Sequence, residues 1–185
     1  NDLKLISSIK SIPLNLEMAS NDEMLKIAIK FQPDFVCIVP EKRNEVTTEG
    51  GLNLNKNTNN LKSTINILNS KKIRTSLFIN PTIKDVKLSK LLNAKCVELH
   101  TGKISNQIKK NQKYNNYLMK IKKCAKYAKS IGLEVHAGHG MDYKTAKILS
   151  KIKEIEEFNI GHFIIGESIV HGLKKTIKNF KNILR

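Results

Sequence analysis

Tryptophan is absent from this chain of 185 residues, and aromatic residues make up only 5% of it. Arginine is also scarce, because only three of the 33 basic residues are Arg and the rest are Lys. Proteins that read nucleic acids rely on arginine forks and aromatic stacking. The formal net charge of +17 therefore indicates a general bias toward Lys, which also suits small anionic substrates. A basic nucleic-acid-binding domain is the alternative, and it predicts clustered lysines and salt-sensitive binding.

Long apolar runs and paired cysteines are missing as well. No apolar run approaches the ~18 residues that a membrane-spanning helix needs. The cysteines are Cys37, Cys96 and Cys124, which lie far apart and in no CxxC spacing. Cys37 and Cys96 fall in apolar, strand-like runs, which is typical of buried core thiols in a reducing cytoplasm. We expect a cytoplasmic protein without a disulfide framework or a zinc site.

Short apolar runs alternate with longer segments of helical period along the whole chain. Strands are predicted at 14–18, 35–39, 73–79, 96–99, 133–137 and 158–160. Helices are predicted at 21–30, 61–68, 82–92, 117–131 and 173–184, and another, capped by Asp142, carries Ala146, Ile148, Leu149 and Ile152.

Six strand–helix units in succession predict an α/β fold with a parallel sheet, in a single domain spanning residues 1–185. Two architectures fit this pattern. A doubly wound sheet accommodates six units, whereas a (β/α)8 barrel needs eight units and typically about 250 residues. The difference in length corresponds to roughly two units of ~30 residues.

Acidic and imidazole side chains fall where the predicted strands end. Glu17 and Glu98 each interrupt an apolar run at the same place in a strand, and His139 and His162 follow two later strands. The carboxyl ends of parallel strands meet at one edge of a sheet, where active sites collect. A single such Glu commonly faces solvent and a single such His commonly lies in a turn, but four together predict a general acid–base site.

Glycines flank both histidines in a way that suits a bound anion. Gly138 and Gly140 surround His139, and Gly161 precedes His162 at the predicted start of a helix. Exposed backbone N–H groups and helix N-termini bind phosphate groups. The residues alone thus predict a phosphate-handling barrel enzyme with acid–base groups.

Five stretches then resemble, in order and in spacing, the pyridoxine 5′-phosphate synthase family. These are residues 15–19 (Asn-Leu-Glu-Met-Ala), 39–52 (the signature loop from Val39 to Leu52), 98–102 (Glu-Leu-His-Thr-Gly), 137–140 (Ala-Gly-His-Gly) and 159–166 (Asn-Ile-Gly-His-Phe-Ile-Ile-Gly). The resemblance implies a (β/α)8 barrel that assembles into homo-oligomers, octamers in the family. It also implies condensation of 3-amino-2-oxopropyl phosphate with 1-deoxy-D-xylulose 5-phosphate to pyridoxine 5′-phosphate, phosphate and water, without a metal or organic cofactor.

The matching positions imply individual roles. By resemblance, Glu17 is a general base, His139 a general acid or base, and Glu98 a stabiliser of charged intermediates. Thr47 is implied to contact the sugar phosphate. Gly140, Gly161 and His162 are implied to hold the aminoketone phosphate.

Other residues receive structural expectations. Glu41, Lys42 and Arg43 are expected to form a network at the barrel rim, although their types also suit substrate contact. His100 is expected behind the reacting groups. His136 and His171 are expected to be ordinary loop or surface histidines. The loop 39–55, with Gly50 and Gly51, is equally compatible with a lid and with a plain surface loop.

The family's first two strands have no counterpart here, because residues 2–9 already resemble the helix after the second strand. We therefore expect a (β/α)8 barrel lacking its first two strands, and a chain of residues 1–185 that is inactive by itself. A different phosphate-binding barrel enzyme and a truncated, inactive synthase are the alternatives.

Overall fold

A computed structural model describes residues 2–9, 11–40, 50–55 and 58–184. The described residues form six strands: β1 (Asn15–Met18), β2 (Phe35–Ile38), β3 (Arg74–Ile79), β4 (Cys96–His100), β5 (Glu134–Gly138) and β6 (Glu157–Asn159). They also form nine helices: α1 (Asp2–Ile9), α2 (Asp22–Phe31), α3 (Thr58–Ser70), α4 (Ile83–Leu91), α5 (Gly102–Lys109), α6 (Asn115–Ser130), α7 (Tyr143–Leu149), α8 (His162–His171) and α9 (Leu173–Ile183).

All neighbouring strands are parallel, and their order in the sheet is their order in the chain, from β1 to β6. A doubly wound sheet reverses its strand order at a switch point, so that alternative is excluded for these strands. The sequential order is that of a (β/α)8 barrel wall. Within the described residues β1 pairs only with β2, and β6 only with β5, which leaves a partial barrel with two edges.

The sheet curls strongly, as contacts across its inner face demonstrate. Arg74 on β3 reaches Glu157 on β6 at 3.3 Å, and Asn159 on β6 reaches Glu98 on β4 at 2.6 Å. Neighbouring strands lie about 4.8 Å apart in a sheet. Side chains two and three strands apart meet this closely only on a concave face.

Alternation along the strands separates an apolar face from a polar one. Val36, Leu77, Val97 and Val135 belong to the hydrophobic core. Glu98, placed next to Val97 in β4, points to the other face with Cys37 and Asn159. The hydrophobic core therefore lies between the sheet and the helices, and these polar side chains lie on the concave face.

Three helices begin at residues whose side chains cap them. Asn21 accepts a hydrogen bond from the backbone N–H of Met24 at 2.9 Å, and Thr82 accepts one from Asp85 at 3.1 Å. Asp142 accepts one from Thr145 at 2.8 Å, which confirms the predicted start of α7. Such caps satisfy N–H groups that have no partner inside the helix.

Several sequence-based expectations need correction. Helix α7 ends at Leu149, so Ile152, which was assigned to that helix, lies beyond it. Helix α5 was not predicted, because it is short and its N-cap residue, Thr101, makes no side-chain capping bond. His136 lies inside β5 and is only 1% exposed, so the expectation of a loop or surface residue was wrong. None of the described helices is long and apolar enough to cross a membrane.

Candidate active site

A cavity of about 690 Å³ opens at the carboxyl ends of the strands. Its lining includes six of the seven residues predicted for the site: Glu17, Glu98, His139, Gly140, Gly161 and His162. They come from β1, β4, the turns after β5 and β6, and the start of α8. Thr47, together with Glu41, Lys42 and Arg43, lies outside the described residues, as does most of the predicted loop.

Glu98 is the deeply buried acid of this cavity, with 4% of its surface exposed. Its Oε2 accepts hydrogen bonds from Asn159 Nδ2 at 2.6 Å and from Cys37 Sγ at 3.3 Å. Burial raises the pKa of Glu98 to about 7, although these two hydrogen bonds oppose the rise. The negative charge of Glu17 adds to the increase. A carboxyl group with such a pKa can give and take protons near neutral pH.

The backbone of β5 leaves space for the Glu98 side chain because residue 138 is a glycine. A Cβ atom at Gly138 would lie 1.7 Å from Glu98 Oε1, which no real side chain tolerates. The glycine in the Ala-Gly-His-Gly motif thus allows the carboxylate to lie against the next strand. This role differs from the anion approach that the sequence predicted for Gly138.

His139 is held at the mouth of the cavity in an uncommon backbone conformation. Its φ is +81°, and for a residue with a side chain such conformations cost about 1–3 kcal/mol. The Thr101 hydroxyl donates to the carbonyl oxygens of Gly138 and His139, both at 2.7 Å. These bonds fix the turn that carries the imidazole.

The His139 ring stacks on His100, with the ring centroids 5.0 Å apart and the planes inclined by 25°. His100 is itself 4% exposed, and Phe78 packs edge-on against it at 5.1 Å. A Cβ at Gly102 would approach both imidazoles to 2.9 Å, so the glycine permits this stacking. His100 lies behind His139, in agreement with the sequence.

Gly161 and His162 begin helix α8, whose N-terminus lines the cavity. The first N–H groups of a helix have no partner within it and attract anions. No atom lies within 4 Å of a Cβ built on Gly161, so the approach to this backbone is open. The arrangement can accept a phosphate group.

Sequence reasoning missed three residues of this site. Cys37 was taken for core, Asn159 was quoted only as part of a motif, and Lys109 lies on the unpredicted helix α5. Lys109 lines the cavity and donates to the carbonyl oxygen of Gly140 at 2.9 Å. The sequence feature that could have identified Asn159 as a site residue is its polar side chain, two residues before Gly161. Cys37 pairs in register with Glu17, which became visible only in the sheet.

A separate ionic cluster lies on the concave face at the opposite end of the strands. Arg74 binds Glu134 at 2.6 Å and Glu157 at 3.3 Å, and His136 Nε2 lies 2.9 Å from Glu134. Partial burial raises the pKa of Glu134, but hydrogen bonding to His136 and the charge of Arg74 leave it below its usual value.

Glu134, His136 and Glu157 are close enough together to ligate a metal ion. The guanidinium of Arg74 already binds both carboxylates, however, and would repel a second cation. The cluster is therefore best explained as an ion network that links β3, β5 and β6 near the amino ends of the strands. His171, by contrast, pairs with Glu167 near the end of α8 at 3.1 Å and is partly exposed, as expected.

The fold and the cavity define a class of protein: an α/β enzyme with a parallel, barrel-like sheet and with carboxylate and imidazole groups beside the N-terminus of a helix. Solved structures agree on the fold. A 3-keto-L-gulonate-6-phosphate decarboxylase from Vibrio cholerae superposes with a TM-score of 0.61 at 13% identity, over 96% of this chain and 79% of that one. A mutant tryptophan synthase alpha-subunit from Pyrococcus furiosus gives 0.62 at 17% identity, over 98% and 70%.

The chain belongs to the family described as pyridoxal phosphate biosynthesis protein PdxJ, which matches residues 1–185. It is 63% identical to the pyridoxine 5′-phosphate synthase of Pelagibacter ubique over 183 residues, which are 99% of this chain and 77% of that protein. It is 45% identical to the enzyme of the same name from Ehrlichia canis over 181 residues, 98% of this chain and 74% of the relative. The resemblance seen in the five motifs is thereby confirmed.

Proposed function

We propose that the complete protein containing this chain has the activity of a pyridoxine 5′-phosphate synthase, and that residues 1–185 alone are inactive. The reaction would join 3-amino-2-oxopropyl phosphate to 1-deoxy-D-xylulose 5-phosphate and release pyridoxine 5′-phosphate, phosphate and water. The observation that carries the proposal is the convergence of Glu17, Glu98, His139 and His162 on one cavity in a member of this family.

The proposed chemistry matches the residue types in the cavity. An amine attacks a ketone, water leaves, phosphate is eliminated, and an aldol-type step closes the ring. Each step moves a proton, and carboxylates and imidazoles with pKa values near the working pH transfer protons well. No step in this sequence calls for a metal or an organic cofactor.

The proposed roles of the individual residues are those that the family resemblance implies. Glu17 on β1 is the proposed general base, and His139 the proposed general acid or base at the cavity mouth. Glu98 would stabilise the positively charged imine intermediates, because a buried carboxylate acts through a medium of low dielectric constant.

The residues proposed to bind the substrate phosphate groups lie where the backbone lines the cavity. Gly140, Gly161 and His162 would hold the aminoketone phosphate, since the α8 N-terminus and the turn after β5 both line the cavity. Thr47 would contact the sugar phosphate. Lys109 is an additional positive charge near Gly140.

The complete protein is proposed to be a single-domain (β/α)8 barrel in which two further strand–helix units join β6 to β1. The two open sheet edges support this proposal, because unpaired parallel strands are rarely left exposed. Apolar side chains near those edges are also exposed, including Ile9 at 76% and Ile169 at 84%. Contacts within a homo-oligomer in the cytoplasm would cover such residues.

The test uses the complete reading frame, purified and mixed with both phosphorylated substrates. Formation of pyridoxine 5′-phosphate is followed by mass spectrometry, and Glu17→Ala is expected to abolish it. Lys26→Ala, on α2 away from the cavity lining, serves as the matched control and should retain activity. A folded, complete protein without product would contradict the assignment and leave a phosphate-binding barrel of other chemistry.

A nucleic-acid-binding role is separated by a second measurement on the same protein. The charge of +17 makes some binding to DNA at low salt unsurprising. Specific binding that persists at physiological salt would favour the alternative. Loss of binding there, together with product formation, would favour the synthase.

A further inference from the structure

The carboxylate of Glu98 is held by side chains from two other strands. Asn159 on β6 and Cys37 on β2 donate to the same oxygen, Oε2, at 2.6 Å and 3.3 Å. Within the described part of the chain these are the hydrogen bonds that Glu98 makes. The donors approach across the concave face from opposite sides of β4, so they define the position of this oxygen.

The other oxygen is confined by backbone. Glu98 Oε1 lies against Gly138, at the place where a Cβ atom would be only 1.7 Å away. Gly138 pairs in register with Asn159, so the same rung of the sheet contacts both ends of the carboxylate. The group therefore has little freedom to rotate.

Both partners are suited to an ionised carboxylate. An amide nitrogen only donates hydrogen bonds. Burial raises the pKa of the Cys37 thiol well above its usual value, and the nearby charge of Glu98 raises it further. The thiol consequently stays protonated and remains a donor. Hydrogen bonds to the charged form of an acid favour that form.

We propose that Asn159 and Cys37 are positioning residues that fix Glu98 as an oriented anion facing the cationic intermediates. The proposal rests on the synthase function and deepens it, because it explains how a carboxylate at this depth can still ionise near neutral pH. A buried anion without such donors would take up a proton and lose its attraction for an imine cation.

The charged surroundings of Glu98 act against ionisation, which makes the donors necessary. Among the described residues, the titratable groups around Glu98 include Glu17 on β1, Cys37 on β2, His136 on β5, His139 in the turn after β5 and Glu157 on β6, with Cys96 and His100 on its own strand. The charges of Glu17 and Glu157 both raise the pKa of Glu98. The hydrogen bonds from Asn159 and Cys37 are the interactions that lower it.

The test measures the protonation of Glu98 directly, in the complete protein, by infrared titration of the carboxyl C=O stretch. Glu98→Gln assigns the band. Asn159→Leu, which keeps the shape but removes the donor, is expected to raise the midpoint by about one pH unit, roughly a tenfold increase in proton affinity. Cys37→Ala should raise it less, because a thiol is a weaker donor. Cys37→Ser, which restores a donor, should bring the midpoint back toward the wild-type value.

Kinetics provide the second readout. We expect kcat to rise with pH as Glu98 ionises. In Asn159→Leu the pH midpoint of this rise should shift with the infrared midpoint, while KM for each substrate changes little. Cys124→Ala, at a buried thiol on α6 remote from Glu98, is the matched control and should shift neither.

The outcomes separate the inference from the function on which it rests. A folded Asn159→Leu protein with an unchanged infrared midpoint would overturn the positioning role, whatever its activity. An inactive wild-type enzyme with a shifted midpoint in the variant would contradict the synthase assignment and leave the hydrogen-bonded carboxylate intact.

Discussion

Gly138 shows how one missing side chain can shape the candidate active site. At this position the Cβ atom of any other residue would overlap the Glu98 carboxylate. Glu98 cannot move aside without leaving Asn159 and Cys37, which bind its other oxygen. The glycine is therefore a geometric requirement of the buried acid.

We expect Gly138→Ala to lower kcat at least 100-fold, which corresponds to about 2.7 kcal/mol of transition-state stabilisation. The Cβ would displace the Glu98 carboxylate from its hydrogen bonds. Steady-state kinetics with both substrates measure the effect. Gly166→Ala is the matched control, because a Cβ there meets no atom within 4 Å and Ala favours the helix. Near-wild-type kcat in Gly138→Ala would show that Glu98 need not occupy this position.

The predicted acids and histidines could be found at residue scale because each is a polar side chain at the end of an apolar run. Their meeting in one cavity follows from parallel strands. The bonds of Cys37 and Asn159 to Glu98 could not be found in this way. They depend on the register of β2, β4 and β6 and on the curl of the sheet, which no local pattern encodes.

At the scale of elements, capping and periodicity fixed most boundaries. Asn21 and Asp142 were recognised as caps because their side chains replace missing backbone partners at helix starts. Helix α5 escaped notice because it begins at Gly102, directly after the strand, with no capping side chain. The strand β5 extends to Gly138, one residue further than predicted, since its neighbour β4 still pairs there.

Helix α8 is apolar on faces that the described residues leave exposed. None of its residues is buried, and Ile165, Ile169 and Val170 are 64%, 84% and 77% exposed. A helix that is apolar all round is normally buried, and exposed apolar patches mark interaction surfaces. Such a helix suits the contact surface of the proposed homo-oligomer.

We expect Ile169→Lys in the complete protein to weaken the proposed homo-oligomer, because it would place a charge in the apolar surface that assembly would cover. Sedimentation velocity should show a lower mass or a more concentration-dependent mass than for the wild type. Met119→Lys is the matched control, since Met119, at 51% exposed, is the one large exposed apolar side chain among the described residues of α6. Sedimentation and urea stability of Ile169→Lys equal to the wild type would show that this face remains in water.

At the scale of the whole molecule, the buried acid ties stability to pH. The pKa of Glu98 rises from 4.5 to about 7 on folding, mainly because of burial. Its folded state therefore binds the proton more tightly than the unfolded state. The resulting contribution of Glu98 to the free energy of unfolding is fully present below pH 4.5 and is lost as the pH rises through about 7.

We expect Glu98→Gln to gain stability relative to the wild type as the pH rises. Glutamine remains neutral, so between pH 4 and pH 8 its advantage should grow by about 3 kcal/mol at most. Urea unfolding of both proteins at the two pH values measures the difference. A constant difference between the two curves would mean that Glu98 titrates alike in the folded and unfolded states.

The division of the sheet into an apolar face and a polar face explains why so much of the architecture could be predicted from the sequence. Alternating residues such as Val97 and Glu98 serve the core and the cavity in turn. The apolar half of that pattern predicted the strands, and the polar half predicted the site. The ion network of Arg74, Glu134 and Glu157 was not predicted, because its members come together only when the sheet curls.

The thiol of Cys37 has one more consequence, which concerns chemical damage. Peroxides and alkylating reagents attack thiolates, and the reactive form is scarce when the pKa of a cysteine is raised. Cys37 is 1% exposed and lies beside an anion that disfavours its ionisation. A cysteine that donates to the buried acid of the cavity is thereby kept chemically unreactive. The proposed alignment of Glu98 by a sulfur atom therefore does not make the enzyme sensitive to oxidative stress at that atom.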